Sequence, residues 1–152
     1  MQASFSELEY AAKQKQTRRD RFLAQIEAVT PWEALAQVIA PHDPISGGRG
    51  RPPIGLKRML RMYVAQQCFG LSEEGIEDAL YDSQAIRRFV GIDLNREAAP
   101  DATTLLKFRR LLEEHHLTES IFNAINAHLE SKGLFLRAWK PIMPNGCWMI
   151  RA

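Results

Sequence analysis

Cysteine is nearly absent: Cys68 and Cys147 are the two in 152 residues. Neither lies at metal-ligand spacing, and two thiols cannot build a disulfide framework. Cys68 in a helical pattern reads as a buried thiol. Long apolar runs are missing too, so nothing approaches the roughly 20 residues a membrane-spanning helix needs. The first segment, "MQASFSELEYAAKQKQTRRDRF", has no apolar stretch of the kind a secretory signal carries, and Glu7, Glu9 and Asp20 argue against a transit peptide. A cytoplasmic location with no membrane partner is the expectation. Strand-like alternation and internal repeats are also lacking.

Catalytic signatures are scarce. His42, His115, His116 and His128 are the only imidazoles. His115 and His116 are adjacent and diverge on a helix, and no His-x-x-x-His face exists. There is no glycine-rich phosphate loop with its lysine and no nucleophile elbow. The residues themselves therefore give no catalytic, metal or cofactor site.

What is present is helical periodicity. A first helical region spans about Ser4 to Val29. Next, "TPWE" reads as a capping box, with Thr30 as cap, Pro31 at the first helical position and Glu33 three residues on. A short helix to Ala40 follows. The stretch "PHDPISGGRGRPP", with four Pro and three Gly, is a loop. A strong amphipathic helix comes after it and stops at Gly70. Leu56, Met59, Leu60, Tyr63, Val64 and Gln67 form one face, and Lys57, Arg58 and Arg61 the other. Ser72 and Asp101 are helix caps, Gly91 and Gly133 helix stops, and the last helix starts near Thr118. The expected fold is all-α, a compact bundle of about seven short helices over residues 1–137. An irregular tail, residues 138–152, follows, crowded with Pro, Trp and apolar side chains.

Net charge is only +2, but its distribution is segregated. Residues 13–21 carry Lys13, Lys15, Arg18, Arg19 and Arg21 against Asp20, and residues 49–61 carry five cations and no acid. Residues 73–82 reverse the sign with Glu73, Glu74, Glu77, Asp78 and Asp82. Such segregation builds a one-sided field despite a small sum. In "GGRGRPP", Gly50 lets the backbone sink close to a surface while Arg49 and Arg51 reach into a narrow minor groove; "RGRP" is similar to the core of an AT-hook. Lys57, Arg58 and Arg61 would add phosphate contacts beside that arm. A second candidate is "TTLLKFRRLL". Thr103, Thr104, Lys107, Arg109 and Arg110 near its exposed side suit a major groove, although an ordinary surface helix with salt pairs to Glu113 and Glu114 is the favoured reading of that pattern alone. The DNA-binding candidates are thus Arg49, Arg51, Lys57, Arg58, Arg61, Lys107 and Arg110.

Three long blocks, "PWEALAQVIAPH", "GRGRPPIGLKRMLRMYVAQQCFGLSEEGIEDALYDSQAIRRFVGID" and "APDATTLLKFRRLLEEHHL" with "IFNAINAHLESKGL", resemble the N-terminal region of bacterial insertion-sequence transposases of the insertion-sequence-five group, within the DDE superfamily. The resemblance covers about residues 4–137. It implies a helical domain preceding an RNase H-like catalytic domain, where three acids hold two divalent metals. In the family the last helix leads into a short strand bearing the first of these acids. Here no acid follows Glu130. The expectation is a truncated or frameshifted copy, with divalent metal belonging only to the missing catalytic domain. DNA, in the form of the element's terminal inverted repeats, is the expected partner. An interaction module is the alternative: the acidic patch Glu73–Asp82 pairs with basic helices of a second copy or of full-length transposase. A relic without function is a further one.

Overall fold

A computed structural model describes residues 5–43 and 55–133. The Arg49–Arg51 arm and the tail at residues 138–152 lie outside these residues. Eight α-helices occur among the described residues: α1 (Phe5–Ala12), α2 (Arg18–Val29), α3 (Trp32–Ile39), α4 (Leu56–Phe69), α5 (Glu73–Asp82), α6 (Gln84–Val90), α7 (Ala102–Glu114) and α8 (Leu117–Ser131). A 3₁₀ turn at Ala40–His42 follows α3 directly. The all-α expectation holds.

The first helical region is two helices, not one. Thr17 starts α2 with a reciprocal cap: its hydroxyl accepts from the Asp20 amide at 3.2 Å, and the Asp20 carboxylate accepts from the Thr17 amide at 2.9 Å. This satisfies two orphan donors and begins a new helix after the non-helical residues that follow Ala12. The second correction concerns Thr30, which closes α2 instead of capping α3. Its hydroxyl donates to the Ile26 carbonyl at 2.6 Å, and Pro31 takes the cap position of α3 without a side-chain hydrogen bond. The other boundaries match. Ser72 accepts from Gly75 N–H at 2.9 Å, and Asp101 accepts from Thr104 N–H at 2.7 Å. Gly70 and Gly91 take left-handed conformations, φ 61° and 85°, that favour glycine.

Helix α4 is the axis of the bundle, packing against α3, α5, α6 and α7. That surround buries Met62, Ala65, Gln66 and Cys68 as well as Met59, Leu60 and Val64. The buried surface is therefore wider than a single stripe, while Gln67 is only half-buried. Edge-on ring pairs tie helix to helix, with centroid distances of 5.6 Å for Phe22–Phe69, 5.7 Å for Trp32–Phe89 and 6.2 Å for Tyr63–Phe108. Helix α8 buries Ile121, Ile125 and Leu129 and packs on α3 and α7. His116 takes φ 52° at the α7–α8 corner, where the ring of neighbouring His115 lies 4.3 Å from that of His42.

Candidate nucleic-acid interface

Each of the three cations of α4 has an acid from another element. Lys57 donates to Glu33 on α3 at 2.5 Å, with both side chains largely exposed. Arg58 donates to both oxygens of Glu97 at 2.6 and 2.7 Å. Arg61 is the most enclosed. It grips the Glu27 carboxylate on α2, one contact being 2.8 Å, and donates to the Phe89 carbonyl at 3.1 Å. Its guanidinium lies 4.3 Å over the Trp32 ring and 5.6 Å from that of Phe89. Placing Arg61 simply on an outward face is thus corrected. A planar guanidinium between aromatic rings and a carboxylate joins α2, α3, α4 and α6.

Helix α7 divides its cations. Arg109 turns inward to an ion pair with Glu73 on α5, each side chain being about a fifth exposed. Thr104 is half-buried. Neither therefore belongs to the exposed side on which the sequence suggests it. The Glu73 carboxyl is held below its ordinary value: a hydrogen bond to its own backbone N–H is the main cause, burial opposes it, and Arg109 adds to the lowering. By contrast, Thr103, Leu106, Lys107 and Arg110 are exposed. Lys107 and Arg110 form no ion pair among the described residues, with Glu113 and Glu114 included.

The N-terminus of α7 is fixed twice. Besides Asp101, Glu77 of α5 accepts from the Ala102 amide at 2.8 Å. The Asp101 carboxyl lies below its usual range because the Thr104 side chain and amide hydrogen-bond to it. Glu73 and Glu77, two members of the expected acidic patch, are therefore used within the fold. Glu74, Asp78 and Asp82 stay exposed.

The segment of residues 13–21 also resolves into roles. Asp20 lies between Tyr10, Lys13 and Thr17, accepting from all three. Burial would push its carboxyl up, but the hydrogen bonds from Lys13, Tyr10 and Thr17 outweigh it and hold it well below the carboxylate range. Lys13 sits 3.7 Å over the Tyr10 ring, and Arg88 of α6 lies 4.9 Å from it. Arg19 donates to the Ser83 hydroxyl at 3.3 Å and lies 5.3 Å from the Phe69 ring. Lys15, Arg18 and Arg21 are exposed.

Sequence reasoning missed the partners of Glu77, Glu97 and Glu27 because each acts on a helix far along the chain. A signal existed for Thr17: "TRRD" has the cap spacing at a helix start.

This is a small helical domain in which most cations brace helices and a minority stand free. The family described as a transposase domain (DUF772) matches residues 10–111, two thirds of the chain, and the protein belongs to it. The match runs from the end of α1 into α7. No solved structure matches the chain.

Proposed function

We propose that this chain recognises duplex DNA at the terminal inverted repeats of a mobile element, serving transposition of the insertion-sequence-five, DDE type. The observation that carries this reading is the exposed stripe of α7 in a transposase-family domain. Lys107 and Arg110 stand free beside Thr103 and Leu106, while Arg58, Arg61 and Arg109 are held by acids. One face of a capped helix bearing cations, a hydroxyl and an apolar side chain suits a major groove: phosphates and guanine edges take the cations, and a thymine methyl takes Leu106. Lys57 joins the contact by exchanging an exposed carboxylate for a phosphate. Arg49 and Arg51, outside the described residues, are proposed on their sequence motif alone to contact a minor groove.

Binding occurs without strand cleavage by this chain. Supporting this, no group of three or more His, Cys, Asp or Glu side chains among the described residues is placed to hold a metal ion, and Asp20, Glu27, Glu73, Glu77, Glu97 and Asp101 serve caps and ion pairs. Dimerisation through the acidic patch has less support, since Glu73 and Glu77 serve the fold.

The test is titration of labelled repeat duplex with the parent protein and with Lys107→Ala/Arg110→Ala. Weakened binding with an unchanged melting temperature supports the α7 face. Unchanged affinity removes it.

A further inference from the structure

The run of cations at residues 13–21 is not accounted for by the α7 stripe, and the fold uses only Lys13 and Arg19 of it. Arg18, Arg19 and Arg21 lie in the first turn of α2, where the helix dipole favours acids over bases. Arg19 is compensated by Ser83 and the Phe69 ring, but on stability grounds alone Arg18 and Arg21 are misplaced. The single acid among them, Asp20, is drawn inward by Tyr10, Lys13 and Thr17, leaving its side chain 9% exposed. Its charge is thereby spent on Lys13. Lys15, Arg18 and Arg21 remain outward with no ion-pair partner among the described residues.

We propose that this elbow between α1 and α2, with Lys15, Arg18 and Arg21 exposed on it, is a second contact surface for the phosphate backbone of duplex DNA. It rests on the DNA-binding reading above and adds to it a sequence-independent grip distinct from the α7 stripe. Three exposed cations without an ion-pair partner among the described residues lie close together in the chain there, which suits a polyanion.

The acids nearby set the limits of the surface. A groove of about 710 Å³ separates α1 and α2 from α5 and α6, with Lys13 and Arg19 on one wall and Asp78 and Asp82 on the other. Those two carboxylates repel phosphate, so the backbone crosses the outer side of the elbow and does not enter the groove. Glu9 on α1 is exposed as well and bounds the surface at that end. No base edge is read there, so the contribution is the same for every sequence.

The experiment compares the parent chain with Lys15→Ala/Arg18→Ala/Arg21→Ala on repeat duplex and on an unrelated duplex, across a salt series. The variant is expected to lose affinity by the same factor on both duplexes. The slope of log affinity against log salt falls by about 0.9 for each phosphate contact removed. Arg18→Lys/Arg21→Lys keeps the charge and restores most of the binding. Since these side chains are exposed and oppose the helix dipole, circular dichroism stays at the parental value and the melting temperature does not fall. Parental affinity and slope in the alanine variant overturn the elbow while leaving the α7 reading intact. A parent chain that binds neither duplex overturns both. A loss confined to the repeat duplex also overturns the proposal, because it makes the elbow a sequence reader.

Discussion

The Arg61 guanidinium lies 4.3 Å over the Trp32 ring while bound to Glu27, so one cation from α4 holds α2 and α3 together. Its side chain is 23% exposed. This makes Arg61 a packing residue whose charge happens to be positive. Arg61→Lys should therefore destabilise the fold by about 1–2 kcal/mol, because an ammonium cannot stack on the ring and grip both carboxylate oxygens together. Urea unfolding measures it. Parental stability in Arg61→Lys, with loss of DNA affinity in Arg61→Ala, would return the residue to the interface.

The double anchoring of α7 is open to the same approach. Asp101→Ala should cost about 1 kcal/mol through the lost cap. Glu77→Ala leaves the Ala102 amide without its acceptor and should cost a similar amount. The two groups serve neighbouring donors on one turn, so the double variant should depart from additivity. Strict additivity would mean that the two caps act independently.

For Arg109 and Glu73, a double-mutant cycle with Arg109→Met and Glu73→Gln should give a coupling of about 0.5–1 kcal/mol, discounted for partial exposure. A coupling of zero would show that the pair is incidental to the α5–α7 contact.

Acid should loosen the α1–α2 elbow. Asp20 is held well below its ordinary value of 3.8 in the folded protein, so the stability it supplies is complete above that value. It is lost as pH falls below it, when the folded state must give up hydrogen bonds to an ionised carboxylate. Asp20→Asn should be less stable than the parent at neutral pH, and the difference should shrink towards pH 3. A gap constant from pH 7 to pH 3 would contradict this account of Asp20.

Much of the scaffold was legible because its signals are local. Ser72, Asp101, Gly70 and Gly91 sit at fixed offsets from the helices they begin or end, and the structure uses them so. The break before Thr17 was hidden because helix-forming residues lie on both sides of it. Thr30 was misassigned by one residue because a hydroxyl there serves either the helix behind it or the one ahead. The basic candidates were less legible for a physical reason. A cation's role depends on what faces it: Arg58 finds Glu97 39 residues away and Arg61 finds Glu27 34 residues away. Periodicity assigns an arginine to a helix face. It does not tell a solvated face from one covered by another helix's acid, and so Lys107 and Arg61 look alike in sequence.

The most direct measurement is a titration of the purified chain with labelled terminal-repeat duplex and with a scrambled duplex, at two salt concentrations with magnesium present. The account predicts tighter binding to the repeat, weakening steeply with salt, and no cut strand. Equal, weak and salt-insensitive binding to both duplexes would contradict it, and a cleaved product would contradict its assignment of the acids to the fold.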